Sequence, residues 1–227
     1  MSGAPGTGGA ALPDKKYSVI LADPPWDYKQ KGGPKGKRGM AAAHYNTMTT
    51  EEICALPVKN MCGGGYAVCF LWATFPNIGE ALRVMEAWGF EYRTAAFVWV
   101  KKNRKSGGNF WGMGAYTRAN AEVCLLGTTP GTKARQVVKN HGVQQIVEAP
   151  VEQHSRKPAE IRDRIVELMG DLPRIELFAR EAAPGWDVWG NEAPTPEVKD
   201  APVDSVELAG KEETHEPDNQ RDPAPQL

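Results

Sequence analysis

The sequence predicts an α/β protein built on a mostly parallel, doubly wound sheet, and two observations predict that fold class. Short apolar runs recur along the chain without polar alternation, which is typical of strands buried on both faces. Longer segments between them carry apolar residues at helical spacing. Because strands that alternate with helices form parallel sheets covered on both sides, we expect one domain of this type.

The strands are predicted from runs of apolar and β-branched residues bounded by turn residues. The first run, Tyr17-Ser-Val-Ile-Leu-Ala22, is predicted to be a fully buried parallel strand. Seven strands are predicted, over 17–22, 65–71, 92–100, 122–127, 143–147, 175–178 and 186–189. The last of them is expected at an edge of the sheet.

Three helices are predicted from capping residues and apolar spacing. Thr49 and Glu52 form a capping box that opens a short helix, and Pro57 ends it. A second helix covers 76–88. The third begins with Pro158 at its first position and runs to Met169. Its inward residues are predicted to be Ile161, Ile165 and Leu168.

Charge is distributed unevenly along the 227 residues, although the formal net charge is −1. Residues 197–227 contain nine acidic and three basic residues, whereas residues 1–196 contain 19 acidic and 24 basic ones. A mildly cationic folded part is compatible with a nucleic-acid substrate. We predict a disordered N-terminal segment over 1–14, a folded domain over 15–192 and a disordered acidic tail over 193–227, because both ends are poor in large apolar residues.

The most informative motif, Asp23-Pro24-Pro25-Trp26, directly follows the first strand. Ligands bind at the carboxyl edge of open α/β sheets, so we expect the motif in a site, although Asp-Pro-Pro is also a common loop start. A carboxylate and a carbonyl that both accept hydrogens from an exocyclic amino group can draw its lone pair out of conjugation. Pro25 has no N–H, and we expect a free Pro24 carbonyl. Trp26 is predicted to stack on an extruded base.

Other residue types point to no further chemistry. The four cysteines form no Cys/His cluster with zinc-ligand spacing, so no metal site is predicted, and Cys69 and Cys124 are expected in the core. The residues alone identify no cofactor, because a Gly-x-Gly-x-x-Gly loop is absent from the sequence. The sequence shows no signal peptide and no long apolar span, so we expect a cytoplasmic protein without a membrane partner.

Seven motifs in one continuous order resemble the MT-A family of N6-adenine methyltransferases, the relatives of the mRNA adenosine methyltransferase. The resemblance runs from about Tyr17 to Glu192. The motifs are Ala22-Asp-Pro-Pro-Trp26, His44-Tyr-Asn-Thr-Met48, Phe70-Leu-Trp-Ala-Thr74, Val98-Trp-Val-Lys101, His154-Ser-Arg-Lys-Pro158, Ile175-Glu-Leu-Phe178 with Arg180, and Trp186 to Asn191. The resemblance implies a permuted Rossmann-like methyltransferase fold, in which the catalytic strand comes first and the cofactor strand late.

The resemblance also implies S-adenosylmethionine as the cofactor and suggests the residues that bind it. Asp23 would meet the cofactor ammonium group as well as the target amino group, and Lys101 would approach the methionine part. The residues expected to bind the cofactor are Asp23, Lys101, Glu176, Phe178, Arg180, Asn191 and Glu192. Family members of the eukaryotic type carry a His-Asn pair shortly after the arginine, whereas this chain has Glu181-Ala-Ala-Pro184.

The substrate side is expected to use basic residues near the motifs. The long polar stretch over 27–43 leaves directly from the candidate site, and a second basic, glycine-rich loop covers 102–114. We expect either phosphate contact or a merely solvated surface for these charges. The candidate substrate-binding residues are Tyr45, Lys35, Lys37, Arg38, His154 and Lys157.

The expected reaction is direct methyl transfer to N6 of adenine in nucleic acid, without a metal. A single compact domain is more similar to the prokaryotic and phage members, so we expect DNA as the substrate, in the host cytoplasm if the protein is phage-encoded. Three alternatives stay open: N6-adenosine methylation of RNA, cytosine N4 methylation, and a catalytically silent nucleic-acid-binding subunit. The oligomeric state is not predicted.

Overall fold

The structure is a computed structural model that describes residues 11–27, 47–63, 65–114, 116–152 and 156–193. The chain divides into two units, Met1–Pro194 and Thr195–Leu227, and the second lies outside the described residues. The predicted disorder of 1–14 and 193–227 therefore stays a prediction.

The strands are β1 (Val19–Ala22), β2 (Val68–Ala73), β3 (Glu91–Lys102), β4 (Ala121–Thr128), β5 (Ile146–Pro150), β6 (Arg174–Leu177) and β7 (Asp187–Trp189). The helices are α1 (Thr50–Cys54), α2 (Ile78–Ala87), α3 (Ala134–Val137) and α4 (Glu160–Met169), with 3₁₀ turns over Val58–Met61 and Phe75–Asn77. All seven predicted strands are present, with shifted ends.

The helix predictions are confirmed with two corrections and one omission. The capping box of Thr49 and Glu52 opens α1 as predicted. Pro158 is not the first residue of α4, which begins at Glu160. Met169, one residue beyond the predicted apolar face, is fully buried, whereas Leu168 is only partly buried. The single turn of α3 was not predicted.

The described strands form one sheet in the order β5-β3-β4-β2-β1-β6-β7. Four of the six pairings are parallel, and β4 pairs antiparallel with both of its neighbours. The mostly parallel sheet is therefore confirmed. One reversed strand has a consequence for the site, because the start of β4 lies at the edge where the other strands end.

Both faces of the sheet are covered, as in a doubly wound fold. One face packs against α1 and α2, with Met85 and Trp88 fully buried there. The other packs against α4 through Ile161 and Ile165. All four residues of β1 are buried, since this strand lies between β2 and β6 in the interior of the sheet. Cys69 and Cys124 are buried in the core, as predicted.

The order in which the chain adds strands to the sheet reverses at β1. Along the chain, β1 leads to β2 on one side, whereas β6 joins on the other side much later. Such a switch point leaves a crevice outside the carboxyl ends of the strands, and ligands bind there. Asp23 follows β1 at this edge, and Phe178 follows β6.

Candidate active site

The Asp23-Pro-Pro-Trp motif is held by backbone hydrogen bonds on two sides. The Asp23 N–H points to the Leu177 carbonyl at 3.5 Å, and the Met48 N–H donates to the Pro25 carbonyl at 2.8 Å. Trp26 and Met48 form a parallel bridge. The turn is therefore fixed between β6 and the segment that leads into α1, and it delivers the Asp23 carboxylate to the sheet edge.

Two expectations about this motif need correction. The Pro24 carbonyl is not free, because the Trp26 N–H donates to it at 2.9 Å in a three-residue turn centred on Pro25. One lone pair of that oxygen remains for another donor. The Trp26 side chain is 7 % exposed and belongs to the core, and its Nε1 donates to the Trp72 carbonyl at 3.1 Å. This burial argues against Trp26 as a stacking surface for a base.

Asp23 belongs to a cluster of two lysines and two carboxylates. We call it the lysine cluster: Asp23, Lys101, Glu122 and Lys157. Lys157 Nζ lies 2.8 Å from each Asp23 oxygen and 3.3 Å from Glu122 Oε2. Lys101 Nζ lies 2.5 Å from Glu122 Oε1. Two ammonium groups and two carboxylates therefore compensate each other.

Burial makes these interactions strong. The side chain of Glu122 is 7 % exposed, and those of Lys157, Lys101 and Asp23 are 15 %, 17 % and 25 % exposed. Burial by itself would raise the pKa of Glu122, but the charges of Lys157 and Lys101 outweigh it and hold the pKa below the ordinary value. Burial would likewise lower the pKa of Lys157, but Asp23 and Glu122 raise it.

Aromatic side chains complete the surroundings of the two lysines. Lys157 Nζ lies 5.6 Å from the ring centre of Trp72, and Lys101 Nζ lies 5.0 Å from that of Trp99. Cations at this distance from an indole are attracted by its electron-rich face. Trp72 and Trp99 therefore help to hold the ammonium groups at the sheet edge without adding a titratable group.

A cleft of about 200 Å³ opens beside the lysine cluster on the α4 side of the sheet. Asp23 and Lys157 line it, together with apolar side chains such as Leu21 and Trp72. Its other wall is formed by α4 and the segment that follows β6. The cleft therefore lies at the switch point beside β1, where the fold predicts a ligand.

Arginines and glutamates form a second charged group, the arginine cluster, along this cleft: Arg156, Arg162, Glu176 and Glu181. Arg162 Nε donates to Glu176 at 2.6 Å, and its Nη1 donates to Glu181 at 3.0 Å. Arg156 also donates to Glu181. Burial raises the pKa of Glu176, and Arg162 offsets that rise only in part. The hydrogen bond from Arg156 is the largest cause that lowers the pKa of Glu181.

The end of β6 has an unusual backbone. Phe178 has a φ of +61°, in the left-handed region that non-glycine residues rarely adopt. The Ala179 N–H donates to the Trp189 carbonyl at 3.0 Å, and the rings of Phe178 and Trp189 pack edge to face. Gly190 lies so close that an added Cβ would be 2.7 Å from the Ala179 oxygen. The close approach of Gly190 to Phe178 and Ala179 fixes the backbone at the end of β6, where Phe178 lines the cleft.

Five of the seven residues predicted to bind the cofactor line the cleft. They are Asp23, Glu176, Phe178, Arg180 and Glu192. Arg180 Nε lies 3.9 Å from Glu192 Oε2, at the limit of an ion pair. Asn191 directly precedes Glu192. Of the two candidate lysines, Lys157 lines the cleft, whereas Lys101 contacts Glu122 behind it.

The predicted substrate residues are mostly beyond reach of the structure. Lys35, Lys37, Arg38, Tyr45 and His154 lie outside the described residues. Lys157 is described, and it lines the cleft and donates to Asp23.

Glu122 and Arg162 were missed by sequence reasoning. Glu122 occupies the start of an apolar strand, and in a parallel strand that position would lie at the opposite edge of the sheet. The missing helical pattern between residues 102 and 121 was the available signal, since an antiparallel pair needs no crossover helix. Arg162 lies one residue after Ile161 on α4, and that position gave no signal of its contact with Glu176.

Two further observations concern the described residues only. No group of three or more His, Cys, Asp and Glu side chains is arranged to share a metal ion. No described helix combines the length and the apolar character that crossing a membrane requires.

Fold and site define an α/β protein with a charged cleft at the switch point of its sheet. The model of the MT-A70 family matches residues 17–192, and the chain belongs to that family. The match covers the whole described sheet, including both walls of the cleft.

Individual relatives of this chain are also methyltransferases by name. The chain is 34 % identical over 202 residues to the type II methyltransferase M.MunI of Mycoplasma sp, a match that covers 83 % of this chain and 82 % of that protein. It is 30 % identical over 185 residues to an N(6)-adenosine-methyltransferase MT-A70-like protein of Drosophila melanogaster, over 78 % of this chain and 27 % of that protein. The human N(6)-adenosine-methyltransferase catalytic subunit METTL3 is 29 % identical, with 78 % and 28 % covered. The chain is a methyltransferase, and it spans about a quarter of the length of these adenosine methyltransferases.

Proposed function

We propose that this chain transfers a methyl group from S-adenosylmethionine to the N6 amino group of adenine in DNA. The observation that carries the proposal is the position of the Asp23 carboxylate, which lines the cleft at the switch point of the sheet and is held there by Lys157. The match over 82 % of the length of a type II methyltransferase supports DNA, because the adenosine methyltransferases are matched over about a quarter of theirs.

The cleft suits S-adenosylmethionine because its lining offers partners for each part of that molecule. Lys157 and Arg180 offer positive charge for a carboxylate, and Asp23 offers negative charge for an ammonium group. Glu176 and Glu192 offer carboxylate oxygens for ribose hydroxyls, and Leu21, Ile161 and Phe178 offer apolar surface for an adenine ring. When bound, the cofactor supplies a methyl group on a sulfonium, which makes the methyl carbon electrophilic.

Asp23 would prepare the target nitrogen. Each carboxylate oxygen has two acceptor positions, so Asp23 can accept a hydrogen of the N6 amino group while Lys157 stays in place. That hydrogen bond orients the nitrogen lone pair and stabilises the positive charge that the nitrogen gains with the methyl group, and the surplus proton then passes to solvent. The Pro24 carbonyl has one lone pair left for the second amino hydrogen.

Lys157 and Glu122 would act on Asp23 rather than on the base. Lys157 fixes both oxygens of Asp23 at 2.8 Å, and Glu122 fixes Lys157 in turn. Catalysis would then come from alignment and from charges that are in place before the substrate binds.

The test is to incubate the protein with labelled S-adenosylmethionine and either DNA or RNA, and to identify the labelled nucleoside. We expect N6-methyldeoxyadenosine. The adenosine methyltransferase relatives favour a second candidate, N6-methyladenosine in RNA. Label in N4-methylcytosine would contradict the choice of adenine, and absence of label with a protein that still binds the cofactor would indicate a silent nucleic-acid-binding subunit.

A further inference from the structure

The loop between β3 and β4 (residues 103–120, the β3–β4 loop) carries an unusual concentration of exposed aromatic and apolar side chains. Trp111, Met113 and Tyr116 are 62 %, 90 % and 100 % exposed. They account for three of the six large apolar side chains that are exposed among the described residues. Large apolar side chains that are exposed within one segment of the chain are typical of a binding surface.

The β3–β4 loop has ordered ends and close backbone contacts. The Lys101 N–H donates to the Asn120 carbonyl at 2.8 Å, and the Gly112 N–H donates to the Ala119 carbonyl at 2.8 Å. An added Cβ on Gly112 would collide with the Ala119 oxygen, and one on Gly114 would collide with the Thr117 oxygen. Glycine is required at both positions, so the sequence Trp-Gly-Met-Gly fits a backbone that folds closely on itself.

The charge of the β3–β4 loop has one sign. It contains Arg104, Lys105 and Arg118 and no acidic residue. A protein interface would also favour the aromatic residues and the arginines, but it would disfavour Lys105. Aromatic rings beside cations are instead typical of surfaces that bind unpaired nucleic acid, in which bases stack on the rings and cations contact phosphates.

The β3–β4 loop starts and ends at the active site. Lys101 precedes it, and Glu122 follows shortly after it, and these two residues are joined in the lysine cluster. A strand bound along the loop would therefore continue toward Asp23. A base must leave the double helix before its amino group can be methylated, which leaves unpaired neighbours to be held.

We propose that Trp111 and Tyr116 stack on unpaired bases of the substrate strand, while Arg104, Lys105 and Arg118 contact its phosphates. This inference rests on the proposed function, since it assigns the polynucleotide of that same site. It predicts that the chain binds unpaired DNA through its bases as well as through its backbone.

The test compares two labelled oligonucleotides of equal length, a single-stranded DNA and its abasic counterpart, by fluorescence anisotropy. The replacements Trp111→Ala and Tyr116→Ala should each weaken binding of the DNA roughly 5- to 100-fold and leave binding of the abasic strand unchanged. The matched control is Tyr92→Ala, an exposed tyrosine at the opposite end of β3, which should change neither. Equal losses on both strands, or no loss on either, would overturn the stacking role.

The phosphate contacts are tested separately, by the salt dependence of binding. Replacing Arg104 and Lys105 by Gln should weaken both oligonucleotides alike and reduce the salt dependence of binding, because each lost phosphate contact removes a released counterion. The control is Arg135→Gln, an exposed arginine on α3 after the far end of β4. An unchanged salt slope would overturn the phosphate contacts.

Two further measurements, light scattering and thermal melting, distinguish failure of the loop assignment from failure of the proposed function. If Trp111→Ala dissociates an oligomer in light scattering and leaves DNA affinity intact, the β3–β4 loop is a protein interface and the inference is wrong. Stabilisation by S-adenosylmethionine in thermal melts should be the same for the wild type and the loop variants. If the wild type neither binds the cofactor nor methylates, the proposed function fails; if it does both and the loop variants bind DNA normally, only the loop assignment fails.

Discussion

The lysine cluster and the arginine cluster lie along one cleft, but they are built differently. In the lysine cluster one ammonium group, that of Lys157, contacts two carboxylates. In the arginine cluster one guanidinium group, that of Arg162, contacts Glu176 and Glu181 through separate nitrogens. An ammonium group is a point charge whose donors rotate, whereas a guanidinium is a planar fork with fixed directions.

We expect a different role for each cluster. The lysine cluster can keep its charges balanced while Asp23 accepts a hydrogen from a substrate, because no contact depends on one fixed direction. The arginine cluster ties α4 to the end of β6 and fixes the shape of the cleft wall. The expected effects of substitution therefore differ in kind: loss of chemistry in the first cluster and loss of geometry in the second.

The largest expected effect is that of Asp23→Asn on methyl transfer. An amide keeps the shape but loses the charge that stabilises the developing positive nitrogen, so we expect a loss of about 100- to 1,000-fold in kcat. The matched control is Asp27→Asn, an exposed aspartate four residues away, which should keep full activity. A well-folded Asp23→Asn protein with more than a tenth of wild-type activity would refute the catalytic role.

Glu122→Gln should lower the free energy of unfolding by about 3 kcal/mol, because it removes the carboxylate partner of Lys101 and leaves one of the two ammonium charges uncompensated at a buried site. Urea unfolding measures this loss. The neighbouring pair of Lys102 and Glu148 provides the control, since these charges lie 3.0 Å apart but the Glu148 side chain is 59 % exposed. Glu148→Gln should cost less than about 1 kcal/mol. Similar losses in both variants would show that burial does not distinguish the two pairs.

Arg162→Lys should cost about 1.5 kcal/mol in unfolding free energy, because it keeps the charge but loses one of the two directed hydrogen bonds. If the arginine cluster shapes the cleft, KM for S-adenosylmethionine should rise while kcat changes little. Steady-state kinetics measures KM and kcat separately. Arg83→Lys, which alters an exposed arginine paired with Glu80 on α2, is the control. A fall in kcat at unchanged KM would assign Arg162 to the chemistry instead.

The smallest expected effect is a pH dependence of opposite sign in the two clusters. The pKa of Glu122 is lowered, so the stability it contributes is present above pH 4.5 and is lost as pH falls through its folded pKa. The pKa of Glu176 is raised, so its contribution is present below pH 4.5 and is lost as pH rises through its folded pKa. Between pH 3 and 7 the stability of Glu122→Gln should therefore rise less steeply than that of the wild type, and that of Glu176→Gln more steeply. Urea midpoints measured at a series of pH values give the pH dependence of stability for each protein. The prediction is wrong if both variants depart from the wild-type pH dependence in the same direction.

The placement of a candidate site residue could be predicted from the sequence where the residue follows a strand end, and could not where two distant segments meet. Asp23 and Arg180 follow β1 and β6 within a few residues, so strand patterns place them at the sheet edge. The contact of Lys157 with Asp23 joins residues far apart in the chain, and no local pattern encodes it. Trp26 shows a different kind of failure. An aromatic side chain after a strand fits a stacking role as well as a core position, and only its burial in the structure distinguishes the two.

The sequence by itself determined the seven strands, the helices on both faces of the sheet and the edge where Asp23 lies, because periodicity and capping are local properties of the chain. The tertiary structure alone decided the direction of β4, which brings Glu122 to the same edge as Asp23. It also decided that Lys157 rather than Lys101 contacts Asp23. Both depend on long-range packing, since strand direction is set by how a connection returns to the sheet, and a buried charge takes the partner that the surrounding helices place beside it.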